Sequence, residues 1–408
     1  VRIAENVGPD QRPAGREDAV DSAVQPTGGQ FELTEDQRAI QAMAEAFAAE
    51  RVAPDALDWD RERRFPSDVI REAGPLGLGG IYVRDDVGGS ALGRLDAVLV
   101  FEALAHACPA FSSFISIHNM AASMIDRFGS QEQRERFLPK LTSMEWLASY
   151  CLTEPGSGSD AAALKTRAVR DGGDYVLNGA KQFISGAGDS DIYVVMARTG
   201  QDGPKGISTL VVPKDAPGLS FGAVENKMGW HMQSTRQVVF EDCRVPADNL
   251  LSNEGAGFSI AMAGLDGGRL NIAACSLGGA QSALDKALSY TAERKAFGRT
   301  INEFQALQFR LADMETTLQA SRVFLYAAAS KLDAKAHDAS KWSAMAKRFV
   351  TDAGFDVANN ALQLLGGYGY LHDYGIEKLV RDLRVHQILE GTNEIMRVIV
   401  ARHMIGRQ

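Results

Sequence analysis

The 408-residue chain carries 43 Lys and Arg against 52 Asp and Glu, a net charge of −9, with 45% hydrophobic and 23% charged residues. This is the composition of a globular protein of two to three domains with a large core, not of a collagen-like, disordered or general nucleic-acid-binding chain. Cys108, Cys151, Cys243 and Cys275 form no CxxC pair and the histidines no HExxH spacing, so isolated thiols and no structural zinc are expected.

Residues 1–30 read as a flexible leader. They hold no apolar run for a signal peptide, and Glu5, Asp10, Glu17, Asp18 and Asp21 are too many acids for a transit peptide. This favours a bacterial cytoplasmic protein; a eukaryotic one would belong in the mitochondrial matrix. Thr34 to Gln37 is a capping box, after which Ile40, Met43, Ala44 and Phe47 share one helical face. A second helix should follow Pro66-Ser67 and stop at Gly74, and Leu95, Val98, Leu99 and Leu104 mark another. Ala103 to Ile125 lacks charge but holds serines, histidines and Asn119, so a buried helix pair is expected, not a membrane span. Ser130 to Gln133 is a second capping box. Residues 31–150 therefore read as an N-terminal helical domain.

Between 151 and 255, short β-rich runs alternate with turn residues, as in Tyr175–Leu177, Asp191–Ala197, Ile207–Val212 and Gln237–Phe240. A small middle β-barrel or sandwich is expected there. Residues 256–408 return to helix. Arg299 to Ala353 lacks Gly and Pro and is too long for one helix, so a break is placed at His337–Ser340 with Ser340 as the next N-cap. Segregated elements of this kind predict an α+β fold. No GxGxxG or GxxxxGK[ST] supports a Rossmann or P-loop site.

Three segments carry candidate chemistry. In Tyr150-Cys151-Leu152-Thr153-Glu154-Pro155-Gly156-Ser157-Gly158-Ser159-Asp160, glycines and hydroxyls suit a ligand-cradling loop, though a plain surface loop has the same composition. Gln363 to Tyr370 reads either as a glycine helix cap at Gly366-Gly367 or as a close backbone approach to a ligand. Glu390, after Ile388-Leu389 and before a helix start at Thr392, is either a solvated glutamate or a partly desolvated base with raised pKa.

Together, in this order, these segments resemble the acyl-CoA dehydrogenase family from about Phe31 to the C-terminus. YCLTEPGSGSD, LQLLGGYGY and ILEGTNEIMR carry the resemblance. ISIHNM, FISGAG, SDIYVVMARTG and VRDLRVHQILEGTNE are most similar to its isobutyryl-CoA branch. The resemblance implies an N-terminal helical domain, a middle β-barrel and a C-terminal four-helix bundle. It also implies FAD, an acyl-CoA substrate, an electron-transfer flavoprotein as electron acceptor and a homotetramer, with no nucleic acid and no membrane insertion.

By residue, the resemblance implies that Glu390 is the catalytic base. Tyr150, Cys151, Leu152, Thr153, Gly158 and Ser159 line the flavin and the substrate mouth, with Ser159 touching the acyl-CoA. Phe183, Ile184 and Ser185 face the flavin, where many relatives have Trp and Thr at 183 and 185. Arg294, Phe304, Gln305, Gln363, Gly366 and Gly367 reach the FAD of a neighbouring subunit. Thr392, Asn393 and Glu394 lie near its adenosine half. Asp266, Gly267, Gly268 and Arg269 contact substrate, as does Arg402. The isobutyryl branch can have Asn where this chain has Asp266. In the isovaleryl branch the base occupies the position of Gly268, so Gly268 with Glu390 disfavours that substrate.

Isobutyryl-CoA is therefore the expected substrate, with butyryl- or 2-methylbutyryl-CoA as alternatives. A flavin oxidase or monooxygenase on the same fold would instead consume oxygen rapidly when reduced. A non-catalytic assembly factor would purify colourless.

Overall fold

The computed structural model describes residues 32–406; the leader reading of residues 1–30 lies outside them. The N-terminal helices are α1 (Glu35–Phe47), α2 (Ala56–Glu62), α3 (Ser67–Glu72), α4 (Arg94–Ala107), α5 (Pro109–Phe128) and α6 (Gln131–Thr142). The charge-free run forms the end of α4 and most of α5, separated by Cys108, with Pro109 at the first position of α5, where a missing N–H is harmless. Both helices are buried almost all round, and α5 satisfies several of its polar side chains internally, though the Ser113 and Ser116 hydroxyls have no partner. Asn119 accepts from the Ile81 N–H at 2.8 Å and donates to the Leu78 carbonyl at 2.7 Å. This is a core helix pair, as its polarity predicts. Ser130 and Gln133 cap α6 reciprocally at 2.8 and 3.2 Å. Gln133 also donates to the carbonyls of Asp248 and Leu250 at 2.6 and 2.8 Å, which fastens α6 to the following domain.

That domain is one mixed sheet. Its strands are β1 (Ala148–Cys151), β2 (Arg167–Asp171), β3 (Asp174–Ser185), β4 (Ile192–Arg198), β5 (Ile207–Pro213), β6 (Leu219–Phe221), β7 (Thr235–Pro246) and β8 (Leu250–Leu251). They run in the order β6-β7-β3-β2-β4-β5-β8, with β1 parallel to β4 and Tyr150 opposite Val194. Central β4 is buried along its whole length. Val194 and Met196 face the helices, while Tyr193 and Val195 join a second apolar layer with Leu177 and Phe240. This is the period-two division of a strand covered on both faces.

The C-terminal helices are α7 (Gly257–Glu293), α8 (Gln305–Asp333), α9 (Ala339–Leu365), α10 (Ile376–Arg384) and α11 (Asn393–Met404), with a small hairpin, β9 (Lys295–Ala296) and β10 (Arg299–Thr300), after α7. The expected break between the long helices is present. The N-cap is Asp338, not Ser340, whose hydroxyl instead donates to Asp266 Oδ1 at 3.0 Å. Helix α7 packs on α4, α5, α8 and α9. Glycine allows the closest of these approaches, because a Cβ on Gly278 would overlap the Glu102 carbonyl of α4. One apolar core thus runs from Phe47, Trp59, Phe101 and Phe111 through Leu270 and Leu277 to Leu318, Val350 and Leu379. Each such side chain contributes about 1.5–3 kcal/mol when fully buried. Among the described residues, no helix is long and apolar enough to cross a membrane.

Candidate active site

The loop after β1 is fixed from beneath. Lys181 on β3 is fully buried and donates to Glu154 Oε1 at 2.8 Å and to the Leu152 carbonyl at 3.1 Å. Glu154 also accepts from the backbone N–H groups of Lys165 and Thr166 at 2.6 and 2.9 Å. Burial alone would raise the Glu154 carboxyl, but the Lys181 ammonium and these donors carry it below its ordinary value. With Glu154 turned inward, Gly156, Gly158 and Ser159 face outward, and a Cβ on either glycine would meet nothing within 4 Å. Cys151 and Ile184 belong to the sheet's core, so their side chains are turned away from this surface.

Beside the loop, the β3–β7 register shifts between Lys181 and Ile184. Phe183 stands at this bulge with φ +59° and is 64% exposed. A bulge re-aims a side chain in this way, here placing an aromatic face in the open next to Thr153, whose carbonyl accepts from the Gln182 N–H at 2.8 Å. Ser185 is half-buried, and its carbonyl accepts from Ser149 Oγ at 2.6 Å.

Glu390 lies in the turn between α10 and α11. It is held at φ +52°, followed by Gly391 at +92°. A left-handed conformation is strained for glutamate and points to a site that the surrounding structure over-determines. Its Oε2 is sealed from solvent with no hydrogen-bond partner. Burial pushes its pKa up to about 7, against the pull of Lys347, Arg269 and Arg94. The carboxylate rests on α7 at Gly268, where a Cβ would fall on Oε2 and lie 3.0 Å from Cδ. Tyr150 reaches the same place from β1, its hydroxyl also buried and without a partner.

The expected substrate segment of α7 forms the rest of the wall. Gly267 receives the Arg94 guanidinium, which stacks 4.0 Å over the Tyr82 ring and donates to Asn271 Oδ1 at 3.1 Å. Arg269 is buried and pairs with Asp266 at 2.5 Å. Met120 and Met124 of α5 press on Gly268 and Gly264. Thr392 caps α11 by accepting from the Ile395 N–H at 3.3 Å. Asn393 is buried against α9, and Glu394 alone of these three is exposed. Arg402 is exposed in the last turn of α11, ten residues beyond Thr392 and so about 15 Å along the helix, apart from the Glu390 turn.

A second group assembles elsewhere. Arg294, Gln363, Gly366 and Gly367 line a cavity of about 540 Å³ with Tyr290 and Arg310, all from the C-terminal domain. Gly366 has φ +59°, and a Cβ on Gly366 or Gly367 would meet only open space. Phe304 caps α8 edge-on to Phe297 at 6.1 Å, and Gln305 is exposed beside it. No residue of the middle domain lines this cavity.

Arg94, Met120 and Lys347 escape the sequence reading. Arg94 looks like an ordinary charge at a helix start. Lys347 alone left a signal: it shares the helical face of Ser343, Val350 and Gly354, where a solvated lysine does not belong.

Models of the acyl-CoA dehydrogenase N-terminal, middle and C-terminal domains match residues 34–145, 149–243 and 255–405. The chain is 58% identical over 373 residues to a Dictyostelium discoideum protein named isobutyryl-CoA dehydrogenase, mitochondrial, covering 91% of this chain and 90% of that one. It is 52% identical over 398 residues to the Bos taurus protein of the same name, covering 98% and 95%. Among solved structures, butyryl-CoA dehydrogenase from Megasphaera elsdenii matches with a TM-score of 0.89 at 36% identity, covering 92% of this chain and 99% of that one. With all three domains matched in order around a buried glutamate, the chain belongs to the acyl-CoA dehydrogenase family.

Proposed function

We propose that this protein catalyses the FAD-dependent α,β-dehydrogenation of a short branched-chain acyl-CoA, with isobutyryl-CoA, going to methacrylyl-CoA, as preferred substrate. The observation that carries this reading is Glu390, whose unpartnered buried oxygen and pKa near 7 suit abstraction of a weakly acidic proton at neutral pH.

Acyl-CoA dehydrogenases use FAD, and the residues present fit that group. Phe183 offers an exposed aromatic face, and the Thr153–Ser159 loop offers backbone without crowding. The cavity at Gly366–Gly367 has open backbone and two arginines, Arg294 and Arg310, suited to a pyrophosphate. FAD, when bound, supplies the acceptor for the Cβ hydride.

The chain supplies the rest. Glu390 takes the Cα proton. Its own backbone N–H has no acceptor among the described residues, which leaves a donor beside the carboxylate for the thioester oxygen as negative charge develops there. Gly268 leaves the space that the carboxylate occupies. Met120 and Met124 fill the wall above α7, which supports a pocket closed to long chains.

The two groups of FAD-fitting residues lie in separate domains, which supports a site shared between subunits of a homotetramer, with Arg294 and Gln363 serving a neighbour. The reduced enzyme passes its electrons to an electron-transfer flavoprotein. Such an enzyme belongs in the bacterial cytoplasm or the mitochondrial matrix.

The test is a panel of acyl-CoAs with an artificial electron acceptor, run on protein sized by light scattering. Isobutyryl-CoA should give the highest kcat/KM, followed by 2-methylbutyryl-CoA, since one methylene changes a hydrophobic fit by about 1–3 kcal/mol. Octanoyl-CoA should fall far behind. A panel led by butyryl- or 2-methylbutyryl-CoA overturns the substrate, and a fully flavinated monomer overturns the shared site.

A further inference from the structure

We propose that Lys347 is the positioning residue of the base, tying down the turn that presents Glu390. The inference rests on the reading of Glu390 as base. Lys347 projects from α9 and its side chain is fully buried. Its Nζ donates to the Gly391 carbonyl at 2.8 Å and to Asn393 Oδ1 at 2.9 Å. The first acceptor belongs to the residue immediately after Glu390; the second belongs to the first residue of α11, on the far side of the same turn. The Asn393 amide donates onward to Asp352 Oδ1 at 2.7 Å and Thr351 Oγ1 at 3.0 Å, so α9 grips the turn through one connected network.

A left-handed glutamate persists only where its surroundings hold it, and this network is what holds it. The helical hydrogen bonds that enter the turn end at Leu389: the Ile388 and Leu389 N–H groups both go back to Val385. Past that point, the Lys347 ammonium grips the turn one residue beyond the base and leaves the carboxylate Oε2 unpaired.

Its charge acts as well. Glu390 is faced by Lys347 from α9, Arg269 from α7, Arg94 from α4 and Tyr150 from β1. Lys347 is faced in turn by Glu390, Arg269, Asp352 and Glu394. Burial pulls Lys347 down to about 8, against the pull of the Glu390 carboxylate. Its charge is the largest single pull on Glu390 toward the ionised form. Because it grips backbone and amide oxygens, it does so without forming an ion pair that would quench the carboxylate.

The experiment compares wild type with Lys347→Met, which removes charge and donors, and Lys347→Gln, which keeps a donor without the charge. In both, the acid limb of the kcat/KM profile should move to higher pH by about one unit, because the ionised carboxylate has lost the cation that favours it most. kcat should fall about tenfold further in Met than in Gln, since only Gln can still hold the Gly391 carbonyl. Infrared difference titration against Glu390→Gln reads the carboxyl directly, without turnover, and should show the same upward shift. If Lys347→Met does not fold, Lys347→Gln carries the test alone. Wild-type titration of the carboxyl in the folded variants overturns the inference. If instead Glu390→Gln still shows full substrate-driven flavin bleaching, the base assignment itself fails.

Discussion

His118 and Glu390 both carry titratable atoms sealed from solvent at domain seams, and they differ in how those atoms are used. His118 Nε2 lies 3.1 Å from the Gly79 carbonyl and 3.0 Å from that of Leu141, and its Nδ1 accepts from the Ala148 N–H at 3.1 Å. This pattern requires the neutral ring with the proton on Nε2, and burial pulls its pKa down to about 4. Glu390 has the opposite arrangement, with an oxygen that no group meets and a pKa pushed up to about 7. Burial with every partner present makes a structural pin; burial with a partner withheld makes a reactive group. The two are connected, because Ala148 begins the strand that places Tyr150, two residues on and on the same face, beside Glu390.

Glu390→Gln breaks the reactive side of this comparison. Dehydrogenation should fall by about 10³-fold or more, because the amide keeps the volume but cannot accept the proton. The same variant should be more stable than wild type at pH 8. The folded protein holds Glu390 above its unfolded value near 4.5, so stability falls as pH rises from there through about 7. Removing the charge should recover about 1–3 kcal/mol at pH 8 and nothing at pH 4, read by denaturant melts. Equal stability at both values would mean that the carboxylate is not desolvated.

His118→Leu breaks the structural side. It strands two carbonyls and one N–H in a dry seam, for a loss of about 3–5 kcal/mol. The pH trend is opposite in sign. The wild-type ring is held neutral, so stability is complete above about 6.5 and falls by about 3 kcal/mol as pH drops to about 4. His118→Gln should remove that acid slope. Persistence of the slope would assign acid lability to other groups.

Gly268→Ala sharpens the comparison with the smallest change, one methyl. Alanine suits a helix interior better than glycine, by up to about 1 kcal/mol, so the fold should hold. The methyl falls where Glu390 Oε2 lies and displaces it, and kcat/KM should drop by about 10²-fold with little change in Tm. Full activity in this variant would place the working carboxylate elsewhere.

Much of this was legible in the chain. The capping box at Ser130, the buried pair α4–α5 and the helical, β, helical order follow from local patterning. The segment around Glu390 was legible as a family motif, while its local chemistry alone favoured a solvated glutamate. The rest depends on contacts between distant residues. Arg94 meets Gly267 across more than 170 positions, and no periodicity announces it. The bulge at Phe183 comes from a register shift against β7, which only the pairing fixes. Ser340 has the composition of an N-cap, but Asp338 took that place and Ser340 was drawn to Asp266.

The Lys181–Glu154 pair beneath the Thr153–Ser159 loop has a consequence for how fast a ligand is captured. Ordering a residue's backbone costs about 1–2 kcal/mol of conformational entropy, and in this loop much of that ordering is completed during folding. Arrival of a ligand therefore requires little further ordering of these residues, and association should proceed as docking to a rigid rim, without coupled folding. The pair is also sealed from counterions, so added salt should leave the loop's rigidity intact while it weakens any long-range attraction of the anionic ligand.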